Sequence, residues 1–495
     1  MTALSGQDFD LLVIGGGITG CGVARDAAMR GLRVALVERE DFASGTSGRS
    51  SRLIHGGIRY LEHAQFHLVH ESIRERQILL DIAPHLVKPL AFTWPIYRGA
   101  RVGRVKLSAG LILYGLMAGG RARRHATLNA AQTLGREPSL KPTGLTGGAV
   151  YYDACTDDSR LTLANAISAV QHGAVVANHT AVTEILRDRG RAVGAVVKTQ
   201  YAGMTQEVRA RVIVSATGVW ENSFAERSDG APRGSKGVHI SVPRERIGNR
   251  DALTMISPVD ARVMFCLPAG TQTIIGTTDT WTSEKPETVH AGSSDVEYLL
   301  RSANAYFPSA SLEPDDVVSA WAGIRPLAAT NAASPGAASR EHSIITDGTG
   351  VIHVTGGKLT TYRAMASEIV DAVQRALGVP VEPARTHLVD LPGSDRATDI
   401  LRLQTQEPAL AQLLIPSLPY TGAHVVYAAR REMARSLSDV LIRRMHLAFE
   451  TRDHGVDVAP HVAHLIGGAL DWNEREKSAR VEEYHHDVER IFRIG

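Results

Sequence analysis

Phe9-Asp10-Leu11-Leu12-Val13-Ile14 runs directly into Gly15-Gly16-Gly17-Ile18-Thr19-Gly20, and after a helix-like run the chain resumes with Val34-Ala35-Leu36-Val37-Glu38. The spacing predicts a strand, a Gly-x-Gly-x-x-Gly turn opening a helix, and a second strand that ends in an acid. Each part has a physical task in holding a dinucleotide. Gly15 permits the tight turn, Gly17 lets the backbone approach a pyrophosphate, and Gly20 lets the helix pack close to the strand. Ile18 and Thr19 begin the helix, whose N-terminal N–H groups and positive dipole end attract phosphate. Glu38 stands 18 residues past Gly20, where a carboxylate accepts ribose hydroxyls. Alone, such a turn is weak evidence, because glycine-rich loops are common. Strand, turn, helix, strand and acid in one register make the dinucleotide reading the better one.

With 495 residues the chain is too long for one simple core, so two or three domains are expected. A net charge of +2 gives no reason to expect a nucleic acid partner. The first strand begins almost at the N-terminus, so no signal peptide is expected. Cys21, Cys155 and Cys266 are far apart, which suggests neither a disulfide framework nor a zinc site. A reduced, cytoplasmic setting fits. No apolar run approaches the roughly 18 residues of a spanning helix.

After Glu38 comes Ser44-Gly45-Thr46-Ser47-Gly48-Arg49-Ser50-Ser51, and then Arg52-Leu53-Ile54-His55-Gly56-Gly57-Ile58-Arg59-Tyr60-Leu61-Glu62. Small hydroxyl side chains and exposed N–H groups suit a loop around phosphates, although an ordinary solvated loop has the same composition. His55 offers an acid or base near neutral pH, and Arg59 a planar fork for phosphate or carboxylate.

Together the Gly-rich turn, the Thr/Ser loop and His-Gly-Gly-Ile-Arg-Tyr-Leu-Glu resemble the FAD-dependent glycerol-3-phosphate dehydrogenases, within the D-amino-acid-oxidase-like flavoproteins. Family members often carry Lys where this chain has Arg52, a departure that keeps the charge. A second motif, Gly356-Gly357-Lys358-Leu359-Thr360-Thr361-Tyr362-Arg363, strengthens the resemblance. It implies an α/β fold: a Rossmann-like FAD-binding domain with an interleaved antiparallel β-sheet substrate (cap) domain and a C-terminal α-helical domain. The FAD-binding segments are expected at about 8–83, 148–235 and 318–380, the cap at 84–147 and 236–317, and the helical domain at 385–495.

Further residues follow from the resemblance. Thr46, Ser47, Ser50, Ser51, His55 and Gly57 would contact the cofactor, as would Thr217 and Gly218 after the strand 212–216, and the backbone of Ala181 and Val182. Gly357, Lys358, Leu359 and Thr360 would face the flavin ring, where Lys358 stabilises negative charge. Lys236-Gly237-Val238-His239-Ile240 places His239 in a strand, as either a buried structural histidine or a substrate-site residue. His55 and His239 are both candidates for the base that removes a hydroxyl proton, with His239 slightly favoured, and Arg325 joins them as a catalytic candidate. Arg59, Arg325 and Arg340 form the expected cation set for a dianionic phosphate, with Tyr60 and Thr278 adding hydrogen bonds.

The implied reaction is oxidation of sn-glycerol 3-phosphate to dihydroxyacetone phosphate, with electrons passed to a quinone. A homodimer located in the cytoplasm, or peripherally on the cytoplasmic face of the inner membrane, is implied as well. Residues 101–124 bear on that location: Leu107, Leu111, Ile112, Leu113, Tyr114, Leu116 and Met117 lie between Arg101, Arg104, Lys106 and Arg121, Arg123, Arg124. Basic ends around an apolar helix mark either a membrane-surface segment or a core-facing helix with solvated ends. An oxygen-using oxidase, an amino-acid or 2-hydroxy-acid oxidase, and an FAD-containing electron-relay subunit are the competing readings.

Around Asp157-Asp158-Ser159 the sequence predicts a helix over 161–172 capped by Asp158 or Ser159. Beyond about residue 385, prolines give way to helices expected at 424–433, 436–446, 460–470 and 473–492, with Ser436-Leu437-Ser438-Asp439 read as a capping box. No metal site is expected from His461, His464, His485 and His486, because no Cys or carboxylate set completes one.

Overall fold

The computed structural model describes residues 4, 6–63, 65–118, 125–223, 234–326 and 341–495, without the side chains of 59, 62, 63 and 221–223. The Arg59 side chain, Arg340, and Arg121, Arg123 and Arg124 therefore lie outside the described residues.

The opening stretch folds as β1 (Asp8–Ile14), α1 (Ile18–Met29) and β2 (Val34–Val37). β1 pairs in parallel with β2, Leu11 opposite Val34, and on its other edge with the strand Thr205–Ser215, Leu11 opposite Val212. Val175–Ala177 extends this sheet beyond β2, while Ile352–Gly356 and then His342–Thr346 extend it beyond Thr205–Ser215. Every residue of β2 is buried, as expected for a parallel strand covered on both faces. Ala24 and Ala27 of α1 share one core with Leu163, Ala166 and Ala169 of the helix Asp158–Gln171, and with Ala366 and Ile369 of Tyr362–Leu377. Alanine faces let these helices lie close.

A second sheet runs in the order Thr280–Thr282, Gly234–Pro243, Gln272–Gly276, Val263–Ala269, Ala252–Ile256, Lys88–Tyr97, Leu145–Cys155, Leu53–Ile54. Ser319–Arg325 pairs along Gly234–Pro243, with His239 opposite Trp321. The sheet is antiparallel except where Ala252–Ile256 meets Lys88–Tyr97, the parallel junction that joins the two expected cap segments. Residues 148–155 and 319–325, assigned on sequence to the FAD-binding segments, pair in this second sheet with Lys88–Tyr97 and Gly234–Pro243. Their aromatics explain why: Tyr151 stacks on Phe92, and Trp321 on His239.

The C-terminal part is helical, with Arg396–Gln406, Gly422–Arg431, Ala459–Leu470 and Glu474–Phe492, and a π-helical turn at Asp439–Arg444 inside the span expected as an ordinary helix. Ser436 and Asp439 do exchange bonds: Ser436 Oγ donates to Asp439 Oδ1, and Asp439 N donates to Ser436 Oγ. Asp439 also accepts from Arg443 and meets His179 Nε2 at 2.9 Å. Arg443 and Arg444 reach back to Asp41, between β2 and the Thr/Ser loop. Asp41, His179 and Asp439 stand close enough to share a cation, and Arg443 supplies one. Nearby, burial pulls the Glu432 carboxyl up, but Arg160 at 2.7 Å and Arg396 at 3.1 Å outweigh it and hold the group down at about 2. A buried ionic seam thus fastens the tail to the dinucleotide part.

Candidate active site

A cleft of about 580 Å³ opens at the carboxyl ends of β1 and β2 and reaches the second sheet. At its near end Gly15 has φ +110°, and a Cβ there would stand 2.6 Å from Ala216 O. A Cβ on Gly20 would lie 1.9 Å from Gly15 O, so the helix–strand approach requires glycine. Gly17, Ile18 and Thr19 line the cleft, and Ile18 N donates to Ser47 Oγ at 2.9 Å. Glu38 lines it too, accepting from Gly16 N and Glu40 N while burial raises its carboxyl above the usual range. Thr180 N donates to Glu38 O, which brings Ala181 and Val182 beside that acid. Thr217 and Gly218 complete this end.

The Thr/Ser loop is tied down in ways its composition does not reveal. Thr46 Oγ1 donates to Ile324 O at 2.7 Å, and Ser50 sends both N and Oγ to Asp158 Oδ2, at 3.1 and 2.6 Å. Those two hydroxyls hold the loop's shape. Asp158 is therefore not the helix cap; Asp157 is, accepting from Arg160 N at 2.9 Å, while Asp158 begins the helix. Burial pushes the Asp158 carboxyl up to about 6. Arg49, which the sequence did not single out, lines the cleft with its guanidinium on Ala322 O, and burial pushes it down to about 10.

At the far end the two Gly-Gly motifs meet. His55 N donates to Thr360 Oγ1, and the Lys358 ammonium lies 4.2 Å from the centroid of the Tyr60 ring. Gly357 has φ +89°, and a Cβ there would strike Met365 Sδ at 2.3 Å. Leu359 lines the cleft beside them.

A smaller cavity of about 150 Å³ joins the cleft here, sharing Ser51, His55, Tyr60 and Arg325 with it and adding Gly57, Arg262, Thr277 and Asp279. Arg325 is held in place, Nη1 on Asp279 Oδ1 at 3.1 Å and Nη2 on Thr277 Oγ1 at 2.9 Å. Thr278 turns the other way: its Oγ1 accepts from Val238 N at 3.0 Å, and Thr277 takes the lining place expected for it. Arg262 donates to Asp279 O. With Arg49, it is a cation that sequence reading missed, since one basic residue before a short strand carries no signal. Phe92, Trp94 and Tyr151 form an apolar wall.

His239 lines the cleft with a relative exposure of 2%, stacked on Trp321 and with Nε2 2.8 Å from Ser51 Oγ. Burial first, then the charges of Arg325 and Arg52, push it down to about 3, so the imidazole is neutral. Arg52 itself points away to the tail, with Nη1 3.1 Å from His446 Nδ1 and its guanidinium over Phe449.

The glycine cradle, the acid ending β2 and the second Gly-Gly turn at the far end fit FAD. Residues 10–372 match the family described as FAD dependent oxidoreductase, and residues 348–477 the C-terminal domain of alpha-glycerophosphate oxidase. Fold and cleft thus define a flavin-dependent oxidoreductase. The chain is 38% identical to glycerol-3-phosphate dehydrogenase 2 of Mycobacterium tuberculosis, covering 98% of this chain and 89% of that one. It is also 38% identical to the aerobic glycerol-3-phosphate dehydrogenase of Bacillus subtilis, over 76% and 69% of the two chains. The crystal structure of glycerol-3-phosphate dehydrogenase from Bacillus halodurans complexed with FAD superposes with TM-score 0.80 at 30% identity, covering 99% of this chain and 96% of that one. The chain belongs to the FAD-dependent glycerol-3-phosphate dehydrogenases.

Proposed function

We propose that the enzyme oxidises C2 of sn-glycerol 3-phosphate, giving dihydroxyacetone phosphate. The observation that carries this reading is the junction of the small cavity with the cleft, where Arg325, fixed by Asp279 and Thr277, stands among His55, Tyr60 and Ser51. FAD supplies the hydride acceptor. The guanidinium of Arg325 presents a fork to the substrate phosphate, with Arg262 as a second cation. Arg59 and Arg340 join this set on sequence grounds. His239 takes the C2 hydroxyl proton at Nε2, the nitrogen that Ser51 now contacts. A dianionic phosphate beside Arg325 offsets the field that holds the imidazole low, so substrate binding makes the base stronger. Lys358 places positive charge where the second Gly-Gly turn faces the cleft.

Adding sn-glycerol 3-phosphate anaerobically should bleach the flavin absorbance, whereas glycerol, which lacks the phosphate, should leave it nearly unchanged. A spectrum that stays oxidised would exclude a substrate-oxidising enzyme of this kind and favour a relay subunit. Hydrogen peroxide formed in stoichiometric amount in air would assign oxygen, rather than the proposed quinone, as acceptor.

Peripheral attachment to the cytoplasmic face of an anionic membrane belongs to the same reading. The helix Arg104–Met117 buries Leu107, Leu111 and Tyr114 yet leaves Val105 and Leu116 85% and 74% exposed, beside exposed Arg101, Arg104 and Lys106. The helix thus has a core face, and its apolar outer face with basic neighbours supports the membrane-surface reading. Among the described residues no helix is long and apolar enough to cross a membrane. Val105→Ser with Leu116→Ser should release the enzyme from vesicles containing anionic lipid while single-turnover reduction stays unchanged; undiminished cosedimentation would remove the lipid contact. The homodimer is proposed from the family resemblance alone.

A further inference from the structure

Asp158 is buried at the start of its helix, and its carboxylate accepts from Ser50 N, Ser50 Oγ and Ser159 N. Ser50 Oγ in turn accepts from Arg52 N at 2.9 Å, so one carboxylate fixes the turn of the tripeptide Ser50-Ser51-Arg52. The central residue of that tripeptide holds His239 Nε2 at 2.8 Å. Ser51 also lines both the cleft and the smaller cavity, the space where substrate is proposed to bind. Gly48 closes the same corner: a Cβ there would come within 2.9 Å of Ser159 Oγ and 2.4 Å of Ala43 O. A side chain at position 48 would therefore force the loop away from the helix.

We propose that Asp158 is a positioning residue for the reaction: by clamping Ser50 it fixes the Ser51 hydroxyl that orients His239. The proposal rests on the assignment of His239 as base. The carboxylate is surrounded by Arg52 and Ser50 from the loop, by Asp157 just before it, and by His446 from the C-terminal part. Burial holds Asp158 up at about 6, and burial with the charge of Arg52 holds His446 down at about 4. The clamp is fully formed when Asp158 is ionised and is lost as the pH falls through about 6, because a protonated carboxyl accepts these bonds poorly.

The test uses the FAD-loaded enzyme, following flavin reduction in a single anaerobic turnover at saturating sn-glycerol 3-phosphate from pH 5 to 9. Asp158→Asn should retain its flavin and lower the reduction rate at pH 8 roughly tenfold. The part of the acid limb near pH 6 that belongs to Asp158 should vanish. The substrate phosphate ionises in the same range in both proteins, so the comparison is between the two profiles. In a Ser51→Ala background Asp158→Asn should add less than about twofold, because both changes break one chain of contacts. Nitrogen-15 spectra of histidine-labelled protein, with His239→Asn to identify the signal, should show the His239 Nε2 resonance displaced by Asp158→Asn without substrate. Additive rates, an unchanged profile or an unmoved resonance would each overturn the proposal. Should Asp158→Asn lose its flavin, Ser50→Ala, which removes only the hydroxyl link, takes its place with the same expected non-additivity. A normal rate in His239→Asn would instead sink the base assignment, whatever Asp158 does.

Discussion

His239→Asn should reduce the rate of flavin reduction in a single turnover by about 10²- to 10⁴-fold, the range that general-base catalysis contributes. Asparagine is smaller than the imidazole and fits the space against Trp321, where the ring now stacks with centroids 5.5 Å apart, while its amide falls short of the Nε2 position that meets Ser51. Flavin content should therefore be preserved and the loss confined to the chemical step. Rapid anaerobic mixing with sn-glycerol 3-phosphate measures it. His55→Asn, measured alongside, decides between the two histidines that sequence reading left open. If His239→Asn reacts at the normal rate and His55→Asn does not, the base is His55.

Arg325→Ala should weaken substrate binding by about 30- to 150-fold, which corresponds to the roughly 2–3 kcal/mol of a charge-assisted hydrogen-bonded pair. The guanidinium is pre-positioned, with separate bonds to Asp279 and Thr277 on its two nitrogens, so little side-chain freedom remains to be lost on binding. Arg325→Lys keeps the charge without the fork and should recover only part of the loss. Titration of the flavin spectrum with substrate under anaerobic conditions reads the affinity, and flavin content serves as the control. An unchanged affinity in Arg325→Ala would move the phosphate to Arg262 or to the cations outside the described residues.

The parts of this site that were legible in the sequence are those whose chemistry is local. Gly15, Gly17 and Gly20 are required by the backbone of one turn, and Glu38 ends the strand that follows. The Gly-Gly turns at 56–57 and 356–357 are similarly self-announcing. Thr277 and Thr278 were not separable, because both are threonines and only the register with Val238 decides which side chain turns inward. Asp157, Asp158 and Ser159 are all competent caps, and the demand of Ser50, 108 positions earlier, removes Asp158 from that role. Arg262 becomes a site residue only because the turn after Gly276 brings Asp279 beside it. Residues 148–155 and 319–325 could not be assigned to a sheet from their own pattern, since a buried apolar strand reads alike in either.

The seam between Asp41 and Arg444, 403 positions apart, has a consequence for recombination within this family. Asp41 lies just ahead of the loop that carries Thr46 to Ser51, and two arginines of the tail neutralise it in the interior. His179, which steadies the strand end near Glu38, depends on Asp439 in the same way. A chimera that took its tail from a distant flavoprotein would leave Asp41 an uncompensated buried charge, a change that typically costs about 3–5 kcal/mol. Tail and loop thus form one electrostatic unit, although nearly the whole chain lies between them.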